Sequence, residues 1–186
     1  MTDEKIVDLY WNRDESAIDE TDKKYKSYRT KRALNILSDI EDSKECVNDT
    51  YLAAWKSIPP HRPTVLQTFL SKITRRISID VYRKRNRDKR KGSEYSLSLS
   101  EISHVVSNEP LPDDLLSEKL LSEKINEFLK NLKPTERTAF IGRYYFFDSV
   151  KDIARYCGMT QANTKTVLYR TRLALKKYLE KEGFDL

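Results

Sequence analysis

Residues 149–179 constrain this chain more tightly than any other stretch. Val150, Ile153, Ala154 and Cys157 fall at i, i+3, i+4 and i+7, the spacing that gives a short helix one apolar face. Ser149 stands where it can cap the first turn, and Asp152 three residues on completes a variant of the capping box. Gly158 sits where a helix ends in a left-handed residue, a conformation without steric cost for glycine. Thr160 restarts the chain as a second N-cap. Two short-spaced helices across a glycine turn form a helix-turn-helix, and that geometry sets the second helix into a DNA major groove.

The second helix supports this reading. Thr164, Leu168, Thr171, Leu175 and Leu179 form an inward stripe. Gln161, Ala162, Lys165, Thr166, Tyr169, Arg170 and Arg172 are left outward. Gln, Lys and Arg can read base edges, Thr and Ala can touch a thymine methyl, and further cations can grip phosphates. An ordinary amphipathic helix with a solvated basic face would look similar in isolation. The capped helix and glycine turn before it favour the DNA-reading alternative.

Charge is distributed in blocks. Residues 51–91 hold 12 Lys and Arg against 2 Asp and Glu, whereas residues 1–50 hold 9 against 13. Residues 92–133 are again acidic, with 4 against 8, and residues 134–186 basic, with 10 against 6. A second nucleic-acid surface is therefore expected within 51–91, stronger than the first.

Helical patterns run through the rest of the 186 residues, with almost no strand pattern. One helix is expected from Asp3 to Arg13 and another from Glu15 to Leu37. Asp42 reads as the N-cap of a third, with Glu45 at N3, running to Ile58, where Pro59-Pro60 ends it. His61-Arg62-Pro63 is a short stiff loop. Thr64 with Gln67 reads as a capping box opening a helix to Lys91, with the apolar stripe Leu66, Leu70, Ile73, Ile77 and Val81. Arg75, Arg76, Arg83, Lys84 and Arg87 turn outward from that stripe.

Gly92 to Pro112 holds six Ser and two Pro with little periodicity, and reads as a flexible linker. Asp113-Asp114 opens a further helix with the apolar face Ile125, Phe128, Leu129 and Leu132. Pro134 suits the first position of the next, which ends near Phe147. The expected fold is all-α: small helical domains at 1–91 and 113–186, joined by the linker 92–112.

Several classes are excluded. No stretch is long and apolar enough to cross a bilayer, and Met1-Thr2-Asp3-Glu4 opens with acid where a signal peptide needs basic and apolar residues. A cytoplasmic protein without membrane insertion is expected. Cys46 and Cys157 lie in apolar helical patterns, and with His61 and His104 they form no metal-ligand spacing, so neither metal nor cofactor is expected. No nucleophile or carboxylate cluster precedes the linker, so an enzyme such as a recombinase or nuclease is not expected.

Ile40 to Lys56 (IEDSKECVNDTYLAAWK) resembles the second conserved region of bacterial sigma-70-family sigma factors, of the short extracytoplasmic-function (ECF) type. Phe69 to Arg85 resembles the promoter-melting helix that follows it. Leu132 to Arg137 and the helix-turn-helix resemble the fourth region. The resemblance covers residues 20–91 and 113–182 in order, and the ordered set is its specific feature.

The resemblance implies a subunit that binds core RNA polymerase and directs promoter recognition, melting and initiation. It puts Glu45, Asn48, Asp49, Leu52 and Trp55 on the polymerase. It puts His61, Arg62, Lys72, Arg75, Arg76, Tyr82, Arg83 and Lys84 on the −10 element, and residues 161–172 on the −35 element. A strip of cations with nearby aromatics is also what holding melted strands requires. Val167 stands where many relatives carry Arg, so the −35 preference is not transferred from them. An anti-sigma factor would be expected to mask both DNA surfaces. The alternative is a stand-alone helix-turn-helix regulator that binds duplex without polymerase.

Overall fold

The computed structural model describes residues 1–85, 93–103, 105 and 115–184. Among these residues there are nine α-helices and no strand, the all-α class expected. They group into two units, Met1–Ser93 and Glu94–Leu186.

Unit 1 holds α1 (Asp3–Trp11), α2 (Ser16–Leu37), α3 (Ile40–Ser57) and α4 (Leu66–Arg85). Ile6, Val7 and Tyr10 of α1 pack with Ala17 and Tyr25 of α2, Ala54 of α3, and Leu66, Leu70 and Ile73 of α4. Hydroxyls tie the helices inside this core. Tyr10 donates to Thr21 at 3.0 Å, and Thr50 of α3 donates to Thr74 of α4 at 3.1 Å. Arg29 is wholly buried, donating to Ser71 Oγ at 2.6 Å and to the Gln67 carbonyl at 2.7 Å. Burial pulls its guanidinium down to about 10.

Two expected helix starts differ. The cap of α3 is Asp39, whose carboxylate accepts from the Glu41 and Asp42 amides at 3.0 Å each. The reason lies in Ser38, which closes α2 in the left-handed region at φ 55°, so the chain is ready to re-enter a helix at once. Asp42 is instead buried in the first turn of α3 and paired with Arg85. Likewise α4 begins at Leu66, with the Val65 carbonyl accepting from Phe69 at 3.1 Å, rather than at a cap on Thr64.

Unit 2 holds α5 (Glu94–Ile102), α6 (Leu115–Asn131), α7 (Pro134–Tyr144), α8 (Val150–Cys157) and α9 (Gln161–Lys181). Phe128, Phe140, Leu175 and Leu179 form one apolar cluster with Val105, and Ala139, Ile153 and Leu168 form a second. The first locks α6 and α7 to α9, and the second seats α8 between them. The cysteines are unbonded thiols, Cys46 buried in unit 1 and Cys157 half-buried in unit 2.

The segment read as a flexible linker is helical over Glu94–Ile102. Tyr95 and Ser98 are buried and Ile102 half-buried, at helical spacing, while Leu97 and Leu99 stay exposed. The alternating Ser and Leu hide that face from a periodicity reading. Tyr95 meets Phe147 edge-on at 4.8 Å between ring centroids. Phe147 lies beyond α7, which ends at Tyr144, and takes φ 56°, unusual for a bulky residue and held here by burial. The expected linker residues 92, 104 and 106–112, and the helix start at Asp113-Asp114, lie outside the described residues.

Candidate nucleic-acid interface

The helix-turn-helix forms with the caps its sequence called for. Ser149 Oγ accepts from the Asp152 amide at 3.1 Å and donates to the Asp152 carboxylate at 3.0 Å. The carboxylate thus takes the cap hydroxyl, and it also pairs with Arg155. Gly158 closes α8 at φ 64°, and Met159 donates to the Ala154 carbonyl at 2.9 Å. Thr160 Oγ1 then accepts from the Asn163 amide at 3.1 Å and opens α9.

On α9 the stripe Thr164, Leu168, Thr171, Leu175 and Leu179 is buried. Gln161, Ala162, Lys165, Thr166, Tyr169 and Arg170 are exposed, so six of the seven residues proposed for the −35 element share an open surface. Tyr169 adds an aromatic face, 56% exposed, within that surface. Such a helix offers amide, ammonium, guanidinium and hydroxyl donors to base edges and phosphates.

Arg172 departs from this. Its side chain is 17% exposed and reaches Glu101 Oε2 of α5 at 3.3 Å. It also donates to the Tyr144 hydroxyl. Beside it, Arg143 is 2% exposed and forms a fork on Glu101, with Nε–Oε2 at 3.2 Å and Nη2–Oε1 at 2.7 Å. Arg143 Nη1 donates to Glu94 at 2.6 Å and to the Asp148 carbonyl at 3.0 Å. Burial works against ionising Glu101, but the hydrogen bond and charge of Arg143 prevail and hold its carboxyl below the usual range. None of Glu94, Glu101, Arg143 and Tyr144 stands out in the sequence as functional. The signal that could have found them is Glu94 and Glu101 seven residues apart, hence on one face of a helix.

In unit 1 the basic strip lies along α4. Lys72, Arg76, Arg83 and Lys84 are exposed, while Arg75 and Tyr82 are half-buried beside them. Lys72, Arg76 and Arg83 are separated by four and seven residues, which keeps them on one side of the helix. Arg85 pairs with Asp42, and the remainder of the charge run to Lys91, Arg87 included, lies outside the described residues.

The loop before α4 is tied to α1. Arg62 pairs with Asp8, and its guanidinium lies 5.4 Å from the Trp11 ring centroid. His61 is exposed, its Nδ1 3.2 Å from the Ser57 carbonyl. Both candidates in this loop are thus accessible, Arg62 against α1 and His61 against the end of α3.

On α3, Glu45, Asn48, Asp49 and Leu52 are exposed, at i, i+3, i+4 and i+7. Leu52 is 49% exposed, an apolar spot within an acidic face. Trp55 is turned partly inward, edge-on to Tyr10 at 6.2 Å, with Arg13 over its ring at 5.3 Å. The structure therefore brings four of the five α3 candidates onto one open face and keeps the fifth at the edge of the core.

Among the described residues no helix is long and apolar enough to cross a membrane. Residues 23–88, from within α2 through α4, match the family Sigma-70 region 2. A characterised relative, the ECF RNA polymerase sigma factor SigE of Mycolicibacterium smegmatis, is 20% identical over 153 residues, 82% of this chain. The chain matches 58% of that relative's length. Unit 1 thus carries the match to Sigma-70 region 2, unit 2 carries a capped helix-turn-helix, and over most of its length the chain is similar to an ECF sigma factor.

Proposed function

We propose that this chain is a sigma factor that binds core RNA polymerase and directs it to a class of promoters. The observation that carries the reading is the pairing of a region 2 match on residues 23–88 with a separate unit whose capped helix presents an open polar face. Gln161, Ala162, Lys165, Thr166, Tyr169 and Arg170 read the −35 duplex. Lys72, Arg76, Arg83 and Lys84, with Arg75 and Tyr82 alongside, hold the melted −10 strand by phosphate and stacking contacts. His61 and Arg62 flank the point where an unstacked base is captured.

The exposed face Glu45, Asn48, Asp49 and Leu52 docks on polymerase, with Trp55 shaping the surface from behind. A mixed acidic and apolar patch suits a basic helical partner, since charge steers the encounter and the leucine gives it an apolar centre. An anti-sigma factor, where one is present, acts by covering these surfaces. The chain itself has no catalytic task in this scheme.

Run-off transcription with purified core polymerase on a pool of promoter fragments tests this. New start sites that depend on the chain, and that disappear with Lys72→Ala and Arg76→Ala together, are the expected result. Tight duplex binding without polymerase, and no stimulation with it, would instead mark a free-standing regulator.

A further inference from the structure

The Glu101 cluster does more than join α5 to its unit. Arg143 bridges Glu101 to the Asp148 carbonyl, one residue before the cap that starts α8. Arg172 bridges the same carboxylate to the middle of α9. Tyr144, at the end of α7, donates to Glu101 at 3.0 Å and accepts from Arg172. Tyr95 of α5 packs on Phe147, the left-handed residue in the turn between α7 and α8. One short helix therefore holds the turn that enters the helix-turn-helix and the helix that leaves it.

We infer that α5 is a brace that sets the angle of the DNA-reading helix, and that Glu101 is its positioning residue. The inference rests on reading unit 2 as the duplex-binding unit. Glu101 does not touch DNA in this scheme; it acts through Arg143 and Arg172. A fork on a buried guanidinium fixes direction as well as distance, which a single ion pair would not. Release of α5 would strand Arg143, 2% exposed, without its carboxylates, so the brace stays in place. Arg172, taken up by Glu101 and Tyr144, belongs to the brace rather than to the exposed set from Gln161 to Arg170.

The test uses the full chain with core polymerase. Duplexes are selected from a randomised pool with the unaltered chain, and affinities for a selected and a scrambled duplex are then compared for Glu101→Gln. At a temperature where both proteins keep their helical signal, discrimination should fall about tenfold, the scale of one lost base-edge contact. Arg172→Met should produce the same fall, and the two changes together little more, because they cut one linkage.

Unchanged discrimination with only a lower melting temperature would reduce Glu101 to a packing contact and overturn the inference. Tighter binding to both duplexes, with steeper salt dependence, would overturn it differently: Glu101 would then be masking Arg172 from phosphate. If Glu101→Gln does not fold, Arg172→Met carries the same comparison from the α9 side. An unaltered chain that selects no sequence removes the reading of unit 2 itself, and the inference with it. That outcome is distinct from a parent that discriminates and a variant that discriminates equally well.

Discussion

The Tyr156 hydroxyl lies 1.9 Å from where a β-carbon on Gly142 would stand. A residue with no side chain in the last turn of α7 thus makes room for the tip of one from α8. That hydroxyl also donates to the Asp148 carboxylate at 3.2 Å, so the glycine allows a polar link across the turn.

Replacing Gly142 by Ala therefore has two opposed effects. Helix propensity favours Ala by about 1 kcal/mol, while displaced Tyr156 gives up a hydrogen bond of similar worth. In the parent the two nearly cancel. With Tyr156→Ala already in place, Gly142→Ala should stabilise by about 1 kcal/mol. Urea unfolding of the four proteins of this cycle measures the coupling, and additive effects would show that Tyr156 does not occupy the space.

Arg143→Met should be severe. It leaves Glu94 and Glu101 facing a site built for a guanidinium. Breaking a buried pair from one side costs about 3–5 kcal/mol, and the two carboxylates, each close to a third exposed, bring this to about 2–4 kcal/mol. Chemical unfolding should show the loss, with the amplitude assigned to unit 2. A change below about 1 kcal/mol would mean the carboxylates find water without cost.

Acid should loosen the same place. The folded Glu101 carboxyl sits below its ordinary value, so its ionised form stabilises the fold above that value. This contribution is lost as pH falls through the depressed folded value, because protonation then costs the pairs with Arg143 and Arg172. Between about pH 5 and pH 3 the melting temperature of the parent should fall more than that of Glu101→Gln, which has no charge to lose there. Parallel curves for the two proteins would refute the linkage.

Arg170 and the caps give simpler expectations. Arg170→Ala should reduce the slope of log K against log salt for duplex binding by about 0.9, one phosphate contact, with stability unchanged. Ser149→Ala and Thr160→Ala should each cost about 1 kcal/mol in unfolding free energy, the usual worth of an N-cap. An unaltered salt slope would take Arg170 off the phosphates.

Much of this was legible in the residues, for identifiable reasons. Caps and glycine turns act locally, so Ser149, Gly158 and Thr160 declare α8 and α9 without help from the rest of the fold. The buried stripe of α9 is equally plain, because apolar spacing is a property of one helix. What escaped depends on partners distant in the chain. Arg172 lies on a face that looks open until Glu101, 71 residues earlier, is brought against it. The helix α5 was hidden because its buried side consists of Tyr95, Ser98 and Ile102, only two of them large, among serines typical of a tether. The start of α3 shifted from Asp42 to Asp39 because the left-handed Ser38 ends α2 abruptly, a backbone event that no side-chain pattern announces.

The two thiols have a practical consequence. Cys46 belongs to unit 1 and is 1% exposed; Cys157 belongs to unit 2 and is partly covered, and burial pushes both thiols up. Alkylation needs an accessible thiolate, so each should be labelled chiefly when its own surroundings open. Mass spectrometry of labelled peptides would then time the opening of each half of the chain separately, with no foreign probe introduced.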